Sequence, residues 1–134
     1  MILWEMYKRN PKSKIRVDIM GIRYTVKIAR YEDDPIFKED NCVACCGDID
    51  KEILLCNPLT LKSWSENDSD TSVCIFLRET LRHEIIHAFL NDCGLKNAAM
   101  GCECWANNEE MIDWFAIMAP RIYKAYQICD CLEA

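Results

Sequence analysis

The alternation of apolar and polar residues in the N-terminal third of the chain predicts a β-hairpin. Apolar side chains recur at every second position over residues 15–19 and again over residues 22–28, and Met20-Gly21 separates the two runs. A period of two is typical of a strand with one buried face, and a two-residue connection is common between antiparallel strands. One face of this hairpin is therefore expected to line the core.

A second, shorter hairpin is predicted downstream of a polar loop. Residues 42–48 and 52–56 lie on either side of Asp50-Lys51, and Asn57-Pro58 ends the second run. Together the hairpins predict a small antiparallel sheet of roughly three to five strands within residues 15–56. Residues 52–56 are the strand closest in sequence to the first long helix, and we expect them to be an edge to which a peptide can add.

A long helix is predicted over residues 70–93, where apolar residues recur with a helical period. Asp70 fits its N-cap, and Gly94 is a typical residue just past a helix C-terminus. Apolar side chains on most flanks of this segment indicate a central helix, which we expect to pack against the hairpin of residues 15–28.

A second helical region is predicted over residues 107–128. Asn107 and Glu110 fit the N-cap and N3 positions of a capping box, and Pro120 either kinks the helix or begins a following one. The order of the elements predicts one α+β domain over residues 1–134, in which the sheet packs against about two or three helices.

The composition is that of one globular domain without a membrane span. The chain has 134 residues, of which 51% are apolar and 28% charged, and these fractions are typical of a folded domain. No apolar run approaches the roughly 18 residues of a transmembrane helix. Residues 1–14 lack the apolar region of a signal peptide. We therefore expect a cytoplasmic protein.

The net charge and the spacing of the cysteines limit which partners and metal sites are expected. The net charge is −6 and no block of lysine or arginine stands out, so a nucleic-acid partner is not expected. The ten cysteines are expected to be reduced thiols in the cytoplasm. Cys42-x-x-Cys45-Cys46 has no second pair of matching spacing, because only one residue separates Cys102 from Cys104. A second, cysteine-based metal site is therefore not expected.

Both histidines of the chain lie in one string, His83-Glu84-Ile85-Ile86-His87. Residues four apart on a helix share a face, so the two imidazoles are expected to converge on one point, with Glu84 beside them. Two neutral nitrogen donors with an adjacent carboxylate are the core of a catalytic zinc site, in which the glutamate is the general base. The sequence therefore predicts Zn²⁺ as the cofactor.

A catalytic zinc site needs a third protein ligand, and no third histidine exists. The ligand must therefore be a carboxylate or a thiolate. Glu109 on the second helix is the favoured candidate, because Asp113 one turn later can accept a hydrogen bond from a ligand histidine. Glu110 suits the capping role better and is the alternative carboxylate ligand, and a cysteine is the remaining alternative.

The H-E-x-x-H helix followed by an N-E-x-x-x-D helix resembles the gluzincin metallopeptidases. A closer resemblance is to small phage and prophage proteins of the ImmA/IrrE metallopeptidase type, whose downstream string is matched by Glu109, Asp113, Phe115 and Ala116. The resemblance implies a zincin-like fold. It also implies zinc ligands at His83, His87 and Glu109, a general base at Glu84, and Asp113 as a residue that supports a ligand.

One departure from the gluzincin pattern concerns the group that stabilises the oxyanion. Many gluzincins carry a further histidine or tyrosine for this task, and this chain has no histidine left. The remaining candidates are Tyr123, Tyr126, Arg82 and Arg121.

These features leave three functional hypotheses. The first is a zinc metallopeptidase that hydrolyses a peptide or protein substrate, for which a regulatory protein of a phage or mobile element is one class. The second is a zincin-fold binding or regulatory module with weak or no hydrolysis. The third is a deformylase- or amidase-type hydrolase, which would need a cysteine as third ligand.

Overall fold

A computed structural model describes residues 2–93, 108–130 and 132. Its helices and strands, in chain order, are α1 (Ile2–Arg9), β1 (Lys14–Ile19), β2 (Ile22–Ala29), α2 (Ile36–Glu39), β3 (Ala44–Gly47), β4 (Glu52–Cys56), α3 (Asp70–Asp92) and α4 (Glu109–Ile128). Short 3₁₀ turns lie at Tyr31–Asp33 and Pro58–Thr60. The α+β class and both hairpins agree with the prediction from the sequence.

The sheet is mixed, and the prediction of a purely antiparallel sheet is wrong. Its four strands lie in the order β1-β2-β4-β3. The hairpins β1–β2 and β3–β4 are antiparallel, but β2 and β4 pair in parallel, with Val26 opposite Ile53 and Ile28 opposite Leu55. The chain between β2 and β3 carries α2, whose Phe37 is buried with Leu54 and Cys56 of β4. The second hairpin pairs with the first through its later strand, β4.

The prediction that residues 52–56 form an edge strand is also wrong. β4 lies in the interior of the sheet, where Ile53 and Leu55 are fully buried. A strand covered on both faces is a continuous apolar run and not an alternating one, and the residues of β4, Glu-Ile-Leu-Leu-Cys, fit that description. The edge on this side of the sheet is β3.

The main core lies between one face of the sheet and α3, as the apolar face of the first hairpin predicts. Buried side chains of the sheet meet the buried face of α3, and the largest members are Ile19, Tyr24, Val26, Ile53, Leu55, Val73 and Leu77. The short helix α1, which the apolar pattern does not predict, adds Leu3, Trp4 and Tyr7 to the same core. None of the described helices is long and apolar enough to cross a membrane.

The two ends of α3 are held by polar contacts. Its N-cap is Ser69 and not Asp70, because the Ser69 Oγ accepts the Ser72 N–H at 3.2 Å. Asp70 occupies the first helical position, and its carboxylate accepts hydrogen bonds from Trp4 and Lys8 of α1. A helix N-terminus favours such an acidic side chain.

At the C-terminal end of α3, Asp92 is bound to the sheet. Its carboxylate accepts a hydrogen bond from the buried Tyr24 Oη at 2.6 Å and pairs with Lys51 Nζ at 2.7 Å. The Lys51 ammonium and the Tyr24 hydroxyl hold the pKa of Asp92 below its usual value. Tyr24 lies in β2 and Lys51 directly before β4. The two contacts therefore hold the C-terminal end of α3 against the sheet.

The helix α4 packs on α3 through Ile112, which is fully buried beside Leu90. Its N-cap is Asn108, whose Oδ1 accepts the Met111 N–H at 2.8 Å. Glu110 is therefore the second helical residue and not the N3 partner of a capping box, while Asn107 and Gly94 lie outside the described residues. Pro120 lies inside α4, which continues to Ile128 as one helix.

Candidate metal centre

The two histidines lie on one face of α3 and point to a common position. The Nε2 atoms of His83 and His87 are 3.0 Å apart, and the ring centroids are 4.8 Å apart. Each side chain is about one-fifth exposed, at 21% and 22%. This placement follows from their four-residue spacing on a continuous helix.

The α4 helix brings Glu109 to the same position. Its Oε2 lies 3.1 Å from His83 Nε2, and its Oε1 lies 3.4 Å from His87 Nε2. Among the histidine, cysteine and acidic side chains of the described residues, these three form the group whose ligand atoms lie within 4.8 Å of one another.

This group fits a zinc ion in both its chemistry and its spacing. Two imidazole nitrogens and one carboxylate are a ligand set of catalytic zinc sites, which leave the fourth position open. Tetrahedral ligands at about 2.0–2.1 Å from zinc are about 3.3 Å apart. The separations of 3.0, 3.1 and 3.4 Å between the three side chains are close to that value.

Asp113 binds the outer nitrogen of His83, as its position one turn after Glu109 predicts. The Nδ1 and Oδ1 atoms are 2.6 Å apart. An ionised carboxylate can only accept a hydrogen bond, so Nδ1 carries a proton and Nε2 is the nitrogen that faces the other two ligand candidates. α4 therefore supplies both a candidate ligand and the group that orients another one.

Glu84 lies beside His83 and is buried, with 6% of its surface exposed. Burial is the main cause that raises the pKa of its carboxyl to about 7; the charge of His83 lowers this pKa and that of Glu109 raises it. Within the described part of the chain, no hydrogen-bond or ion-pair partner of the Glu84 carboxyl is found. This acidic group can therefore take up or release a proton near neutral pH.

Two neighbouring cavities open along this face of α3, between β3 and α4. We call them together the cleft. The first, of about 520 Å³, is lined by Asn41, Cys42, Val43, Ala44, Glu79, Thr80, His83, Glu84, Asp113, Ala116 and Ile117. The second, of about 610 Å³, is lined by Asp40, Asn41, Cys42, Ala44, Cys45, Cys46, His83, Glu84, His87, Asn91 and Glu109.

The alternative third ligands lie outside the group. Glu110 lines a separate depression with Asn108, Met111 and Trp114. The cysteines at 42, 45 and 46 line the second cavity but do not belong to the group of converging ligand atoms. Burial raises the pKa of the Cys42 thiol, and that of Cys45 to about 11, which disfavours the thiolate form that a metal needs. Cys102 and Cys104 lie outside the described residues.

The predicted oxyanion candidates do not line the cleft in the described part of the chain. Arg82 Nε donates a hydrogen bond to the Ala116 carbonyl at 2.7 Å and so links α3 to α4. Neither Arg121 nor Tyr123 lines either cavity. The side chain of Tyr126 is not among those that the structure describes. Arg82 thus has a structural partner on α4, and Arg121 contacts the Met118 Sδ at 3.8 Å within its own helix.

The wall of the cleft formed by residues 40–43 was not predicted from the sequence. It depends on the position of β3, which is fixed by the parallel pairing of β2 and β4. Glu79 and Asn91, by contrast, lie at helical spacing from the histidines, so the same periodicity that predicts the metal group places them on its flank.

Comparisons with family models, with curated proteins and with solved structures find no match to this chain. The resemblance to the gluzincins therefore depends on the H-E-x-x-H string and the residues around Glu109 alone.

Proposed function

We propose that the protein is a zinc-dependent metallopeptidase of the gluzincin type. The observation that carries this proposal is the convergence of His83, His87 and Glu109 on one point, with ligand atoms 3.0 to 3.4 Å apart. The buried carboxyl of Glu84 next to this point supplies the second requirement, a group that moves a proton.

The three converging side chains would hold the ion, and Asp113 would orient His83. A bound zinc ion supplies a Lewis acid that polarises a carbonyl and makes water a nucleophile near neutral pH. Glu84 accepts the proton of the attacking water on a carboxylate oxygen and delivers it to the nitrogen of the leaving amine. Burial raises the pKa of the Glu84 carboxyl to about 7, which suits a group that both accepts and releases a proton near neutral pH.

The open edge of the sheet supports a peptide as the substrate. β3 is an edge strand, and its residues Ala44, Cys45 and Cys46 line the cleft. An extended peptide can add to such an edge by main-chain hydrogen bonds, and this would place its backbone alongside the metal group. A regulatory protein of a phage or mobile element would be one substrate of this class.

A binding module with little hydrolysis is the second candidate. The observation that favours it is that the described residues of the cleft include no arginine, lysine or tyrosine to stabilise an oxyanion. A deformylase- or amidase-type enzyme is less supported, because its cysteine ligand has no counterpart in the converging group.

Hydrolysis of a quenched fluorescent peptide library tests the proposal. We expect cleavage by the zinc-loaded wild type, loss of cleavage after chelation, and recovery when zinc is added back. Glu84→Gln, loaded with zinc in the same way, is the matched control for a contaminating protease. A protein that retains one zinc ion and cleaves no peptide would favour the binding module.

A further inference from the structure

The cleft is long enough for several residues of an extended peptide. Along α3 it reaches from Glu79 in the first cavity to Asn91 in the second. At about 1.5 Å per residue this stretch of helix is about 18 Å long. That length corresponds to roughly five residues of an extended chain, so side chains on both sides of a scissile bond would lie in the cleft.

The ionisable groups of the cleft are strongly biased towards negative charge. Five carboxyl groups line it, and the described lining residues include neither lysine nor arginine; the five are Asp40, Glu79, Glu84, Glu109 and Asp113. One divalent ion would offset part of this charge. The two histidines would be neutral as ligands, so the cleft would stay negative with metal bound.

Besides Glu84, two of these carboxylates have no partner within the described part of the chain. Asp40 follows α2 and lines the second cavity, and Glu79 lies on α3 and lines the first. Both are exposed, and neither belongs to the metal group or to an ion pair. They are therefore available to a ligand that occupies the two cavities.

Glu84 adds an independent sign that the cleft takes a ligand. As a residue Glu84 is more than nine-tenths buried, it lines both cavities, and its carboxyl has no hydrogen-bond partner among the described residues. Burying such a group without a partner costs free energy. A buried polar group without a partner is more often retained for binding or chemistry than for stability.

We propose that the substrate is a basic peptide, with lysine or arginine side chains on both sides of the scissile bond. Asp40 would contact a basic side chain in the second cavity, and Glu79 would contact another in the first. This inference rests on the proposed function, because it assumes that the cleft binds a peptide. Complementary charge mainly sets specificity and association rate.

Peptide binding tests the charge preference separately from hydrolysis. The probes are three fluorescein-labelled octapeptides that differ only in four flanking positions, occupied by lysine, glutamine or glutamate. Their dissociation constants are measured by fluorescence anisotropy on the zinc-loaded Glu84→Gln protein. We expect the lysine peptide to bind at least about tenfold more tightly than the glutamate peptide. This difference should shrink severalfold between 0.05 and 0.5 M salt, because exposed charges are screened over about 10 Å or less above 0.1 M.

A charge-reversal pair assigns the preference to the cleft. Asp40→Lys combined with Glu79→Lys should weaken binding of the lysine peptide about tenfold and leave the glutamine peptide within about twofold. The matched control combines Asp33→Lys with Glu66→Lys, which changes the net charge equally at exposed positions that line neither cavity. Equal effects of the two double variants would overturn the proposal.

The wild-type enzyme separates this inference from the peptidase proposal. Cleavage of the glutamate or glutamine peptide with a higher kcat/KM than the lysine peptide would overturn the charge preference and leave the peptidase proposal standing. Tight, salt-dependent binding of the lysine peptide without cleavage would do the reverse. If no peptide is bound or cleaved, both proposals fail.

Discussion

His83 Nδ1 lies 2.6 Å from Asp113 Oδ1, across the interface between α3 and α4. This hydrogen bond orients the His83 ring so that Nε2 is directed towards His87 and Glu109. The geometry of the candidate metal centre therefore depends on a residue that does not itself belong to the group of ligands.

Replacing Asp113 by alanine should weaken zinc binding without unfolding the protein. Loss of an outer partner of a ligand histidine typically lowers metal affinity by about 10- to 100-fold. Asp113 is largely exposed, so the free energy of unfolding of the metal-free protein should change little. Competition with a zinc-binding dye measures the affinity, and Asp113→Asn, which can still accept the hydrogen bond, should lose less. Equal affinities of wild type and Asp113→Ala would contradict the role of Asp113.

Glu84→Gln should abolish peptide hydrolysis and keep the metal. The amide cannot take a proton from water, while His83, His87 and Glu109 remain in place. Because the buried carboxyl is replaced by a neutral group of similar shape, the melting temperature should not fall. Metal content, melting temperature and cleavage rate are measured on one preparation. Residual activity above about a hundredth of the wild-type rate would contradict the assignment of Glu84 as general base.

Arg82→Ala should mainly reduce stability. The Arg82 Nε–Ala116 hydrogen bond of 2.7 Å joins the two helices that carry the metal group, and a hydrogen bond from a charged donor contributes about 1.5–3 kcal/mol. We therefore expect a lower free energy of unfolding by about that amount in urea titrations. If kcat falls by several orders of magnitude while stability is unchanged, Arg82 instead contacts the reacting carbonyl.

Asp92→Asn should make folding stability less dependent on pH in the acid range. In the folded protein the pKa of Asp92 lies below its usual value of about 3.8, because Lys51 and Tyr24 bind the charged form. Its contribution is therefore full above pH 3.8 and is lost as the pH falls through the lower, folded-state pKa.

Urea titrations between pH 7 and pH 3 measure this difference. Near pH 7 the variant should be less stable than wild type by about 1–3 kcal/mol, and the two should converge below pH 3.8. Glu66→Gln, at an exposed position, is the control that should leave the curve unchanged. A constant gap between wild type and Asp92→Asn across this range would contradict the ionic contribution of Asp92.

The helices that carry the candidate site were predictable because their signals are local. His83, Glu84 and His87 follow from one helical turn, and Glu109 with Asp113 from another. The sequence favours Glu109 over Glu110 and over a cysteine as the third member of the group, and the structure places Glu109 beside the two histidines. Each observed N-cap lies one residue away from the predicted one. The reason is that Ser69 and Asp70, like Asn107 and Asn108, are adjacent residues of types that can both cap a helix.

The sheet was predicted less completely because its order depends on contacts between distant segments. The position of residues 52–56 next to α3 in sequence predicts an edge strand, although the continuous apolar run of β4 is typical of an interior strand. Its parallel pairing with β2 leaves β3 as the edge and brings Asn41 and Cys42 to the histidines. That juxtaposition has no signature in the local sequence around residues 40–43.

The most direct test of the metal centre is the zinc content of three purified proteins, measured by elemental mass spectrometry after zinc loading and gel filtration. We expect one zinc ion per chain in the wild type and in Glu110→Ala, which changes an acidic residue outside the group. Glu109→Ala should lose most of its zinc, because one of three ligands is removed. Zinc retained equally by all three proteins, or absent from the wild type, would contradict a centre formed by His83, His87 and Glu109.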